Sequence, residues 1–365
     1  MGSGAYGGQP VARRVRNYQE SGYASVVFVP TNVPEVRDVI DDDGTRIIVA
    51  PAPEFASLAE QVRPDVLAVH SPLPETWSTF EPWTTRVPTV AWFHGYEARD
   101  WRLLSFDYSE AEIEQNGSRL DAVMVDRRRL LEGVFANEMV AKVFVSDYMR
   151  QIAEGFVGVP SRNGQVIHNV IDTDLFAYRE RLPEERFRIS SVRSFAKRNY
   201  GTDLIAPVVR ELQHHPRFDD LEVTVMGTGR FFAEDVALLA GLPNVTVAEQ
   251  VLPAAELSAH LDRHGIALLP TRWDSQGMLM GEAMATGAVP VTNGVTAIPE
   301  FADDSVGVLA PGEDAEAMAA GVIEMLEDAD LFMDRSKAAR ARVVEQCGPE
   351  ATTRREIELF DRLRA

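Results

Sequence analysis

The chain has a single cysteine, Cys347, in 365 residues. One thiol excludes an internal disulfide framework and a cysteine-based zinc site, and it points to the reducing cytoplasm. No apolar run approaches the roughly 18 residues that a membrane span needs. No basic segment followed by an apolar one marks a secretory leader. Positive charge is also scarce: 36 Lys and Arg stand against 56 Asp and Glu, a formal charge of −20. General nucleic-acid binding needs a basic face, so that class is excluded, and any anionic ligand must be held by a local cationic pocket. Repeats and low-complexity tracts are absent. What remains is an ordinary globular composition, 45% hydrophobic and 25% charged, long enough for two domains of about 150–200 residues each.

The recurring unit is a short apolar strand, a turn and an amphipathic helix. YASVVFVP (23–30), TRIIVA (45–50), DVLAVH (65–70), TVAWFH (89–94), AVMV (122–125) and AKVFVS (141–146) read as buried strands. FASLAEQV (55–62) and DYMRQIAEGF (147–156) read as helices between them. The pattern restarts after a linker near 175–187. FRISSV (187–192), LEVTVMG (221–227), NVTVAEQ (244–250), GIALLP (265–270) and AVPVTN (288–293) are the next strands. Alternation of this kind predicts parallel sheets covered on both faces. The expected architecture is two doubly wound α/β domains, 1–178 and 179–345. A C-terminal helix, 346–365, carries an apolar stripe that packs back on the first domain. Ligands of open α/β sheets bind beyond the C-terminal strand ends, which makes a cleft between the domains the expected site. GSGAYGG (2–8) reads as a strand-to-helix glycine loop with no strand before it. The Arg13-Arg14-Arg16 and Arg127-Arg128-Arg129 clusters read first as solvated helix faces, with attraction to an anionic membrane or acceptor as the alternative.

Three stretches carry chemistry. In DSQGMLMGEAMATGAVPVTN (274–293), Asp274 falls on a loop at a strand's C-terminal edge and Glu282 on the helix that follows. That helix begins near Gly277 and Met278, where free backbone N–H groups form an anion site. Gly277 permits close backbone approach, and a carboxylate at Glu282 suits a diol such as ribose. Gly287 closes the helix, and the Met278, Met280 and Met284 stripe is packing. RSFAKRNYG (193–201) puts Arg193, Lys197 and Arg198 at another strand edge, the cations a diphosphate requires. VIHNVIDTDLF (166–176) supplies the turn residues Asn169 and Asp172. Its Asp172-Thr173-Asp174 matches a metal-diphosphate pattern but lies in the linker motif, so no metal ligand set is assigned.

The order VIHNVIDTDLF, VRSFAKRNYGTDL, VTVMGTG, PTRWDSQGMLMGEAMATGAVPV and AIPE resembles the retaining glycosyltransferases of GT-B fold in family 4. HGYE (94–97) resembles the His-Gly loop of that family. The resemblance implies transfer of a sugar from a nucleotide-diphosphate sugar (UDP-, GDP- or ADP-linked) with retention and without a metal. The acceptor would be a carbohydrate, a lipid-linked or another small molecule, as in cell-envelope or polysaccharide biosynthesis. No other cofactor is implied, and any membrane contact would be peripheral. It further implies that Glu282 binds ribose and Asp274 faces the donor sugar, with Gly277, Met278 and Leu279 touching sugar and phosphate. Arg193 and Arg198, or alternatively Lys197, would hold the diphosphate. His94 would lie near the sugar, and Gly7 and Gly8 would form a loop closing over the donor.

Three departures stand out: Asp274 for the usual Glu, Gln276 for a common aromatic, and the absent first strand. The rival readings are a sugar-nucleotide epimerase and a catalytically weak nucleotide-sugar-binding protein of the same fold.

Overall fold

The computed structural model describes residues 9–41 and 44–365, with side chains from residue 11 onward. The chain divides into two compact units. Unit one takes the chain up to Leu103, Ala111–Val170 and Pro349–Ala365; unit two takes Leu104–Glu110 and Ile171–Gly348.

Unit one opens with α1 (Gln9–Glu20), β1 (Val26–Thr31), β2 (Arg37–Ile40) and β3 (Arg46–Pro51). These strands form one sheet, β1-β3-β2, with β1 parallel and β2 antiparallel to β3. There follow α2 (Glu54–Val62), β4 (Leu67–His70), α3 (Pro74–Phe80), β5 (Thr89–Phe93), α4 (Glu110–Ala136), β6 (Val140–Phe144), α5 (Asp147–Val157) and β7 (Gly164–Val166). The sheet β4-β5-β6-β7 is parallel throughout. Every residue of β5 and β6 is buried, because a parallel strand covered on both faces has no solvent side. Helix α5 starts on Ser146, whose hydroxyl accepts the Met149 N–H, and stops at Gly158, φ 87°. Glycine adopts that left-handed conformation without strain.

Unit two contains β8 (Arg188–Val192), α6 (Ile205–Leu212), β9 (Glu222–Gly227), α7 (Phe232–Val236), β10 (Val245–Glu249), α8 (Ala254–Arg263), β11 (Ile266–Leu268), α9 (Met278–Thr286), β12 (Val289–Asn293), α10 (Ile298–Phe301), β13 (Val308–Ala310), α11 (Ala315–Glu327) and α12 (Ala329–Cys347). The sheet runs β10-β9-β8-β11-β12-β13, and every pairing is parallel. Numbered from the first strand of the unit, the order is 3-2-1-4-5-6, the doubly wound arrangement. Ile189, Val223, Val225, Ile266, Leu268 and Val289 of the sheet pack with Val208, Leu212, Met318 and Val322 of the helices. Strand order reverses between β8 and β11, which places the expected ligand position at their C-terminal ends.

Helix α13 (Pro349–Arg364) belongs to unit one, where Phe360 meets Tyr18 of α1 edge-on at 5.2 Å. That interface has a polar centre. Arg14 donates to Glu356 at 2.7 Å, the Tyr18 hydroxyl donates to Glu356 at 2.6 Å, and Asn17 donates to Thr353 at 2.9 Å.

One strand expected from the sequence is absent. AVMV (122–125) is not a strand but the middle of α4, whose buried face is Met124, Arg127, Leu131, Val134 and Phe135, while Val125 is exposed. Spacings of three and four are helical, and a run of only four apolar residues does not distinguish the two states, even with Asp121 and Asp126 beside it. The structure also adds β2, β7 and β13. The first is exposed along its whole length, and the other two are three residues each.

Candidate functional site

In unit two the loop after β8 begins with Arg193. This side chain is buried, lies over the Tyr200 ring at 5.3 Å, and donates through Nη2 to the Leu269 carbonyl at 2.9 Å. Leu269 is the first residue past β11, so Arg193 is pinned where the two strands end. The loop rests on bare glycine backbone. A Cβ on Gly227 would come within 1.8 Å of the Arg193 carbonyl, and one on Gly229 within 2.2 Å of the Ala196 nitrogen. Arg198 stacks on Phe231 at 3.7 Å and donates to Asp235 at 2.5 Å and Glu234 at 3.1 Å. Its charge is therefore met by acids of its own unit. Lys197, beside it, is exposed.

The loop after β11 is clamped by Arg272. Its guanidinium makes paired bonds to Asp203 (2.7 and 2.8 Å) and to Glu313 (2.7 and 2.6 Å). Thr271 N–H donates to Asn293 Oδ1 at 2.9 Å. Asp274 is half-buried, and its Oδ1 accepts the N–H of Gly277 at 2.8 Å and of Gln276 at 3.2 Å. It thus caps the turn in front of α9, where Gly277 sits at φ 81°. A short carboxylate suits this local bond; aspartate favours such turns. The N–H groups of Met278, Leu279 and Met280 precede any carbonyl partner within the helix, and the helix dipole favours an anion there. Leu279, Met280 and Met284 are buried, and Met278 is half-buried.

Glu282 is 7% exposed, and its Oε2 is buried without a hydrogen-bond partner. Burial first, and the Asp172 carboxylate second, push its carboxyl up to about 8. Asp172 itself accepts the Leu175 N–H at 3.0 Å. Gln276 turns inward, its Nε2 3.6 Å from the Cys347 sulfur, and burial pushes that thiol up to about 12.

In unit one, His94 follows β5 and His70 ends β4. His70 Nδ1 lies 2.9 Å from His94 Nε2, and the two rings stack at 5.2 Å. Burial, then the charge of Arg14, pushes His94 down to about 3. Burial, His94 and Arg14 likewise lower His70. Arg14, 1% exposed, donates to Asn169 Oδ1 at 2.9 Å, and Asn169 also bonds the His94 side chain. The carboxylate of Glu97 accepts the backbone N–H of His94 and that of Gly95. The structure therefore gathers Arg193, Lys197, Arg198, Asp274, Gly277, Met278, Leu279 and Glu282 in the loops after β8 and β11 and on α9, all in unit two. His94 stands in unit one. Gly7 and Gly8 lie outside the described residues.

Residues 11–175 match the family model Glycosyltransferase Family 4, and residues 186–328 match the model Glycosyl transferases group 1. The chain is a glycosyltransferase of family 4. The amylovoran biosynthesis glycosyltransferase AmsK of Erwinia amylovora is 30% identical over 39% of this glycosyltransferase and 37% of its own length. The phosphatidyl-myo-inositol mannosyltransferase of Mycolicibacterium smegmatis is 25% identical over 76% and 66%. The matched region thus spans about a third and just under two thirds of these two curated relatives. Among solved structures, sucrose-phosphate synthase from Thermosynechococcus elongatus superposes with a TM-score of 0.76 at 15% identity, covering 98% of this chain and 94% of the other. Anabaena HepE in complex with UDP and glucose gives 0.69 at 12% identity, covering 98% and 96%. The fold is GT-B.

Three residues with little signal in the sequence also shape this region. Arg272 ties the β11 loop to Asp203 and Glu313. Arg14 was read as part of a solvated cluster but is buried in the His94 network. His70 carried no signal beyond its place at a strand end. Among the described residues, no group of three or more His, Cys, Asp or Glu is arranged to hold a metal ion, and no helix is long and apolar enough to cross a membrane.

Proposed function

We propose that this glycosyltransferase transfers a sugar from a nucleotide-diphosphate sugar to a carbohydrate, lipid-linked or other small-molecule acceptor, with retention and without a metal ion. The observation that carries the reading is the switch point of unit two. There a buried guanidinium follows β8, and a helix N-terminus and a buried carboxylate with an unpartnered oxygen follow the adjacent strand β11. Glu282 accepts the two ribose hydroxyls. Arg193, Lys197 and the first-turn N–H groups of α9 stabilise the charge that develops on the leaving diphosphate, a preorganised electrostatic effect worth about 3 kcal/mol per donor. Lys197 is the better second cation, because Arg198 is already held by Asp235 and Glu234. Asp274 spends Oδ1 on the turn and offers Oδ2 to a sugar hydroxyl. His94 is the remaining residue proposed for the sugar.

The sugar passes through an oxocarbenium-like state. The leaving phosphate takes the acceptor's proton on the same face, so no protein nucleophile is required. HepE was crystallised with UDP and glucose, which makes UDP the first nucleotide to try. The test is a thermal-shift panel of UDP, GDP, ADP and dTDP in EDTA, since a ligand that binds only the native state raises stability by mass action. One of the four should raise the midpoint, and Glu282→Ala and Arg193→Ala should each abolish the rise. Wild-type affinity in both variants would end the assignment.

A further inference from the structure

We propose that His70 is a positioning residue for the transfer reaction, holding His94 in one ring orientation and one neutral tautomer at the end of β5. The proposal rests on the reading that His94 meets the donor. Two imidazole nitrogens 2.9 Å apart require one proton between them: two would repel, and none would set two lone pairs face to face. The tautomer of His94 is therefore tied to that of His70, and neither changes alone.

Neighbouring elements fix both rings. His70 stacks on Trp92 of β5 at 4.8 Å and 24°. His94 bonds Asn169, whose amide is oriented by the Arg14 guanidinium of α1 at 2.9 Å. Arg14 is held by Glu356 of α13 at 2.7 Å, and the same carboxylate accepts the Tyr18 hydroxyl at 2.6 Å and the Trp92 indole N–H at 3.3 Å. The charged and titratable groups around the pair are therefore Arg14, with Glu356 and Tyr18 beyond it, and Glu97, whose carboxylate is turned to the backbone of His94 and Gly95. Arg14 opposes a second positive charge on either ring, so the pair stays neutral as a unit.

The test is imidazole nitrogen NMR on the full chain, together with turnover of UDP-glucose. In the wild type, His70 and His94 each show one proton-bearing nitrogen, unchanged from about pH 8 to about pH 5.5. In His70→Phe, which keeps the stack on Trp92 and leaves Arg14 in place, His94 loses its fixed partner and averages between its two neutral tautomers. There kcat falls roughly tenfold to a hundredfold while KM for the donor stays within about twofold, the pattern of a misplaced group. His70→Asn, which restores a hydrogen bond, recovers most of kcat and guards against loss of fold in the first variant. An unchanged His94 signal and unchanged kcat in His70→Phe would overturn the proposal. Full kcat in His94→Ala would instead overturn the reading of His94 on which it rests. The NMR arm needs no donor, so a chain that does not turn over UDP-glucose is still decided by it.

Discussion

Replacing Glu282 by glutamine should stabilise the ligand-free protein and weaken its hold on the nucleotide. The ordinary carboxyl value is 4.5, and the folded chain raises Glu282 to about 8. Between those values the unfolded chain has released a proton that the native chain retains. Native stability therefore falls as pH rises through that window. Below pH 4.5 both states are protonated, and the residue costs nothing. At pH 7 the difference amounts to about 3 kcal/mol, taking 1.36 kcal/mol per pH unit. Glutamine keeps the shape and removes the titration. Glu282→Gln should therefore gain about 3–4 kcal/mol at pH 7 to 8 and less than about 1 kcal/mol at pH 5. For a domain the size of unit two the larger gain is a rise of roughly 10 °C in the melting midpoint.

The same change removes the carboxylate that Glu282 becomes when it gives up its proton to accept the two hydroxyls of a diol. Charged acceptors contribute about 1.5–3 kcal/mol for each hydrogen bond, less about 1.4 kcal/mol to release the proton at pH 7, so UDP should bind roughly tenfold to a thousandfold more weakly. Melting curves at pH 5 and pH 8 with UDP titration calorimetry read both effects. A variant that melts below the wild type at pH 8, or a difference that does not grow with pH, would refute the reasoning.

Acid should unfold the protein through its buried histidines. Burial lowers His94 to about 3 and, with His264 beside it, His260 to about 4. Groups depressed in this way favour the native state above their unfolded value and lose that contribution as pH falls through about 6.5 toward the folded values, at about 1.4 kcal/mol per pH unit for each; urea midpoints at pH 7, 6 and 5 should fall accordingly. Arg272→Ala breaks the paired bonds to Asp203 and Glu313 and should cost about 2–3 kcal/mol, with weaker UDP binding in calorimetry as the β11 loop loosens. Cys347, buried and raised to about 12, should resist iodoacetamide at pH 7.5 until the chain unfolds; rapid labelling of the native protein would contradict its burial.

Local pattern was enough to read the strands of unit two, because each is a short apolar run between turn residues, and the 3-2-1-4-5-6 order then makes the loop carrying Arg193 and the loop leading to α9 follow neighbouring strands. Pattern failed where the deciding partner is distant in sequence. Arg14 and Glu356 lie 342 residues apart, and nothing in RRVR shows that one arginine of the cluster is buried. It failed for AVMV because composition is shared between strand and helix, and only the buried positions of α4 show the period. Asp274 shows a subtler limit. The sequence presents it as a shortened acid, whereas the structure shows Oδ1 committed to the N–H groups of Gln276 and Gly277.

The chain enters unit two at Ile171 and leaves it after Gly348, and the amide of Ile171 donates to the carbonyl of Cys347 at 2.8 Å. Entry and exit are hydrogen-bonded neighbours, so this half of the protein is an insertion with its ends already joined. Such a segment is an exchangeable cassette at the level of the gene. Residues 171–348 can be traded for the corresponding segment of a relative, provided the short 104–110 strap travels with them, since Asp107 accepts the Asn199 N–H at 3.0 Å.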